Sequence, residues 1–139
     1  MENTEPIRCR MAACREALDD GKEWSFYLIN DNDVALDLAV LYAVSTEWGD
    51  VGNSEATDVR VMGLAPGAHA LMWRDDGSRA EFRVELSLHV QVLDREVLMQ
   101  FEFPKLYRLR NPQLVDGLGK PGWQIAAEGQ RAGKGSSNH

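Results

Sequence analysis

From Ala80 to Phe103 the chain alternates with period two, and that pattern limits its fold more than any other feature. Phe82, Val84, Leu86, Leu88, Val90 and Val92 take one parity, and Glu81, Arg83, Glu85, Ser87, His89 and Gln91 take the other. Only an extended strand puts successive side chains on opposite faces, so this partition predicts one dry face and one wet face. After Leu93-Asp94-Arg95-Glu96 the pattern resumes with Val97, Met99, Phe101 and Phe103. Pairing Val92 with Val97 brings Val90 to Met99 and Leu88 to Phe101, and every large apolar side chain lands on one face. Asp-Arg is not the Asn-Gly or Asp-Gly that a two-residue turn prefers, so a longer turn of the same parity is an alternative.

More strands are expected upstream. Trp24 to Ile29 is apolar on both parities, which suits a strand covered on both faces, and it stops at the turn formers Asn30-Asp31-Asn32-Asp33. Leu38 to Ser45 follows, with Leu38, Val40, Tyr42 and Val44 on one face. Glu47 to Asp58 reads as a polar loop, Val59 and Val61 as a short strand, Leu64-Ala65-Pro66-Gly67 as a turn and Ala68 to Trp73 as another strand. Six strands with short turns over about 80 residues predict an all-β antiparallel sandwich, with a small open barrel as the alternative.

The arrangement resembles the immunoglobulin or fibronectin type III superfold, through the Asn-Asp turn after an apolar strand and the Leu-x-Pro-Gly turn ahead of another. The paired strand cysteines of antibody domains are lacking. Asn30-Asp31-Asn32 also resembles the tail of the cadherin Asp-x-Asn-Asp-Asn linker, and Leu93-Asp94-Arg95-Glu96 is similar to that family's calcium segment. Leu28 stands where the linker's first Asp belongs, no Pro follows and no Asp-x-Asp lies between. Both read as turn chemistry.

Residues 23–103 form the expected sandwich core. Residues 1–22 form an N-terminal extension with a short helix over Met11 to Asp20, where Met11, Cys14 and Leu18 share a stripe and Gly21 is the stop. Ile7, Cys9, Met11 and Ala13 also fit a strand. Residues 104–139 are expected as an irregular basic tail with the last ten residues mobile, although Leu114, Val115, Leu118, Trp123 and Ile125 are apolar enough to dock. Cys9 and Cys14, five residues apart, fall on different faces of a helix and on opposite faces of a strand, and are expected as buried thiols in a reducing compartment.

The net charge of −7 divides into −1 over residues 1–22, −10 over 23–103 and +4 over 104–139. An acidic body repels phosphate backbones, which argues against nucleic acid as partner. No apolar run approaches the ~18 residues that cross a bilayer, and no signal peptide opens the chain, so a cytoplasmic protein away from membranes is expected. The +4 tail on the −10 body suggests that the tail lies across an acidic face of its own subunit or of a neighbour in a homodimer.

Reactive motifs are lacking. The sequence has no Gly-x-Ser-x-Gly elbow, no His-Glu-x-x-His, and no Gly-rich phosphate loop. The acidic clusters Asp31, Asp33, Asp37 and Glu47, Asp50, Glu55, Asp58 supply oxygens a hard cation could use, but a hairpin of the first two strands would hold them at opposite ends. No catalytic residue, metal or cofactor is therefore expected. The expectation is a non-enzymatic protein-interaction or assembly module, with a small-molecule or carbohydrate-binding sandwich as alternative. Its partner-binding candidates are Trp48 and Asp50 in the polar loop, and Lys105, Tyr107, Arg108, Arg110 and Trp123 in the tail.

Overall fold

The computed structural model describes residues 6–16, 21–48, 51–75, 83–104 and 110–129. Nine strands run through them: β1 (Ile7–Arg15), β2 (Trp24–Asn30), β3 (Leu36–Trp48), β4 (Val51–Leu64), β5 (His69–Asp75), β6 (Arg83–Val92), β7 (Arg95–Phe103), β8 (Gln113–Val115) and β9 (Lys120–Gly129). They form two antiparallel sheets, ordered β5-β2-β1-β9-β8 and β4-β3-β6-β7. Alternate residues of both sheets turn inward and share one core. It runs from Ile7, Cys9, Met11, Phe26 and Leu28 on one side to Leu41, Leu86, Leu88, Met99 and Phe101 on the other. The protein is a β-sandwich, one of the two architectures that the alternation allows.

The β6–β7 hairpin keeps the expected parity and tightens the turn by two residues. Val90 pairs with Val97, Leu88 with Met99, Leu86 with Phe101 and Val84 with Phe103. Leu93 and Asp94 alone make the turn, with Leu93 in the left-handed region at φ 57°. β2 lies between β1 and β5 and is covered on both faces, by the main core at Trp24, Phe26 and Leu28 and by Val115 and Leu118 at Ile29, as its two apolar faces call for. At its end the fully buried Asn30 donates from Nδ2 to the Val34 and Leu64 carbonyls, and its Oδ1 accepts the Asn32 amide at 2.8 Å. The turn cluster is thus pinned to the end of β4.

Four expectations need correction. Met11–Arg15 belongs to β1 and not to a helix, and no helix occurs among the described residues. Ile7, Cys9, Met11 and Ala13 face the main core, while Ala12 and Cys14 on the other face lie in a second cluster with Ile29, Val115 and Leu118. Burial on both faces erases the period-two signal, and pairing to β2 and β9 decides the conformation. Residues 47, 48 and 51–58, expected as loop, continue the β3–β4 hairpin from Glu47↔Gly52 down to the strand proper. Their polarity reflects an exposed end strand rather than a loop.

The third correction concerns β3, where an irregularity between Leu41 and Ala43 flips the parity. Ala39, Leu41 and Val44 face the core, and Tyr42 is exposed. Lastly, residues 113–129 are not an irregular tail. β9 pairs with β1 from Ile7↔Gly129 to Ala13↔Trp123, and β8 folds back on β9 through Gln113↔Gly122. Residues 17–20 of the expected helix and the last ten residues lie outside the described part.

Candidate binding groove

β9 is built to sit against β1. A Cβ on Gly122 would lie 2.6 Å from the Ala13 carbonyl oxygen and 2.8 Å from Cys14 Sγ, so only glycine permits this approach. From there Trp123, Ile125 and Ala127 turn inward and pack on the core, opposite Ala13, Met11 and Cys9. Gln124 turns outward, where its Oε1 accepts a hydrogen bond from Arg10 Nη1 at 2.9 Å.

A groove of about 380 Å³ opens where β7 ends and the chain returns toward β8. Trp123 and Ile125 provide apolar walls above the buried Phe103. Arg110, Asn111 and Gln113 are exposed around them, and Gln124 borders the groove with its side chain turned to Arg10. The walls are held by aromatic packing. Trp123 lies 5.4 Å from Trp24 between ring centroids, tilted at 41°. Phe103 meets Phe26 edge-on at 5.4 Å, and Phe26 meets Trp73 at 5.2 Å. Trp123 Nε1 donates to the Arg110 carbonyl at 2.9 Å, which ties the strand to the approach segment. A pocket of this size, with aromatic walls and few convergent polar groups, is the usual form of a small binding site.

Of the seven expected site residues, the groove brings together Arg110 and Trp123. The backbone of Trp48 pairs with Val51 at the end of β3. Asp50, Lys105, Tyr107 and Arg108 lie outside the described residues. Phe103, Asn111, Gln113, Gln124 and Ile125 were not foreseen as site residues. The available signal was the parity of Trp123, Ile125 and Ala127 after Pro121-Gly122, which marks a strand with one dry face.

The outer face of the five-stranded sheet carries a polar cluster that chemistry would have to use differently. Tyr27 Oη donates to Glu16 at 2.6 Å, and Lys120 Nζ forms an ion pair with the other carboxylate oxygen. Burial would raise the Glu16 carboxyl, but hydrogen bonds from Lys120, Tyr27 and Ser25 outweigh it and hold the group at about 2. Burial, and then the Glu16 carboxylate, push the Tyr27 phenol up. The bond to Glu16 keeps Lys120 protonated beyond its usual range.

Neighbouring Cys14 is raised to about 11 by burial and the Glu16 charge, and Cys9 to about 12 by burial and Asp31. The raised Cys9, Cys14, Tyr27 and Lys120 are each held in the protonated form, which is neither nucleophile nor base. Arg10 grips Asp31 through two bonds of 2.7 and 2.9 Å and also donates to the Asp116 carbonyl. Among the described residues no three His, Cys, Asp or Glu side chains gather as metal ligands, and no helix is long and apolar enough to cross a membrane.

No protein-family model, curated protein or solved structure matches this chain.

Proposed function

We propose that this protein is a non-enzymatic interaction module that seats a side chain of a partner protein in the Trp123 groove. The observation that carries this reading is the groove itself. Its Trp123 wall, held against Trp24, gives contact area at small entropy cost, and Arg110, Asn111 and Gln113 offer directional hydrogen bonds around it. The raised thiols of Cys9 and Cys14 and the locked Glu16–Lys120–Tyr27 cluster support a binding role over catalysis. Two buried, unpaired thiols also favour a reducing, cytoplasmic setting.

The order of the first seven strands supports an immunoglobulin-like reading of the sandwich. β1, β2 and β5 share one layer while β3, β6 and β7 share the other, as strands A, B, E and C, F, G do in that plan. Here β4 stands beside β3, and the β8–β9 hairpin is added outside β1.

The test is to pan a display library of short random peptides on the wild-type protein and on Gln113→Trp, which fills the groove from an exposed position. Enriched peptides should bind wild type, change its tryptophan fluorescence and lose at least tenfold affinity on Gln113→Trp. Equal binding to both proteins overturns the reading. The amide-rich rim beside an indole also favours a sugar, whose apolar face stacks while its hydroxyls pair. A glycan panel run on the same two proteins separates this second reading from the first.

A further inference from the structure

The two flanks of the sandwich are closed differently. On one flank β9 lies directly against β7, so that a Cβ on Gly129 would come within 2.8 Å of Val97 Cγ2 and 2.9 Å of Met99 Cε. Val97, Met99, Phe101 and Phe103 are accordingly sealed, each at most 2% exposed. On the other flank β4 ends its sheet and, among the described residues, pairs with β3 alone. Its inward residues Val59 and Val61 are only half-buried, and Met62 is 79% exposed.

This uncovered strand is fourteen residues long and contains no proline. A long end strand of that kind presents unpaired main-chain groups and is a template for another strand.

The sequence of β4 specifies which strand that is. Asp58 and Arg60 lie on the outward face, two residues apart, 2.9 Å from each other and mostly exposed. In an antiparallel pairing of β4 with itself about a two-fold axis at Val59, Asp58 stands opposite the partner's Arg60, and Arg60 opposite the partner's Asp58. Val59 faces the partner's Val59 and Thr57 faces the partner's Val61 on the inward side, where Thr57 and Asp58 form the irregularity of β4 opposite Tyr42. No like charges oppose one another between residues 56 and 62, and the half-buried valines gain the cover they lack.

We propose that β4 is a homodimer interface, in which a second copy of this chain adds its own β4 antiparallel about Val59. The two four-stranded sheets thereby become one continuous sheet of eight. The interface is isologous, as a two-fold dimer requires, and its register is set by the reciprocal Asp58–Arg60 pairs.

Sedimentation velocity of the full chain tests this. Wild type should approach twice the 15.6 kDa mass of one chain as concentration rises through the micromolar range. Asp58→Arg and Arg60→Asp, each of which sets like charges face to face, should each weaken association at least tenfold. The double variant D58R/R60D, with the pairs reversed, should recover it. Circular dichroism confirms that each variant is folded. Val59→Cys supplies an independent readout, because cysteines on the axis should join two chains by a disulfide under mild oxidation while Cys9 and Cys14 stay buried. Wild type that stays monomeric, a dimer that neither single reversal weakens, or Val59→Cys that yields no crosslink overturns the proposal.

Discussion

The Leu93 amide donates a 2.7 Å hydrogen bond to the Asp37 carboxylate, tying the β6–β7 turn to the start of β3. That bond holds a non-glycine residue at φ 57°, a conformation that costs an L-residue with a Cβ about 1 kcal/mol. Leu93 is 61% exposed, so little burial offsets the cost. Leu93→Gly keeps the amide and removes the Cβ. It should stabilise the protein by up to about 1 kcal/mol, or raise Tm by roughly 3–4 °C for a chain of this size. Asp37→Ala should cost about 1 kcal/mol by the loss of the charged acceptor. Urea titrations of the two variants should move in opposite directions.

Gly122→Ala tests whether the contact between β9 and β1 is as close as the structure has it. The added methyl meets backbone as well as Cys14 Sγ, and a carbonyl oxygen on a central strand cannot step aside as a flexible side chain can. Destabilisation of about 3 kcal/mol is expected, at the upper end of overpacking effects. A denaturation midpoint unchanged from wild type would mean that β9 sits further from β1 than the structure places it.

Legibility in the sequence followed how cleanly each strand is wet on one side. The β6–β7 hairpin reads directly, because Glu85, His89 and Gln91 oppose core residues on β6 and Glu96, Gln100 and Glu102 do so on β7. Cys9 and Cys14 were also legible, falling into separate clusters on opposite faces of β1. β1 itself was hidden because Ala12 and Cys14 are buried as deeply as Met11 and Ala13, which leaves composition without period. The outer half of the β3–β4 hairpin failed for the converse reason: Ser54, Glu55 and Ala56 are exposed in succession. The groove was half legible. Trp123 and Arg110 were marked as apolar and basic residues of a tail, but their meeting depends on the long-range ladder between β9 and β1, which no local pattern encodes.

Ending the chain at residue 104 removes that ladder. β1 becomes an end strand, and Ala12, Cys14 and Ile29 lose the cover of Val115 and Leu118. The truncated protein should show no cooperative thermal transition. Docking here runs mainly through main-chain hydrogen bonds and apolar contact, with the Lys120–Glu16 ion pair added to them, so 1 M salt should lower the melting midpoint of the full chain by no more than a few degrees. A truncated chain that melts like the full one would contradict the placement of β9 inside the sheet.

Glu16 sets a pH dependence whose sign is fixed by its partners. Its carboxyl is held at about 2 in the folded protein, whereas the unfolded chain titrates near the usual carboxylate value, about 4.3. A carboxyl depressed on folding contributes stability that is fully present above the unfolded value and disappears as pH falls through the folded one. The loss should therefore fall between about pH 4.5 and pH 2 and amount to at most about 3 kcal/mol. Glu16→Gln keeps an acceptor for Tyr27 but removes the charge opposite Lys120. It should lower stability at pH 7 and flatten the dependence over that window. Urea midpoints for both proteins at pH 7, 4.5 and 2.5 make the comparison, and parallel curves would show that the Glu16–Lys120–Tyr27 cluster does not carry it.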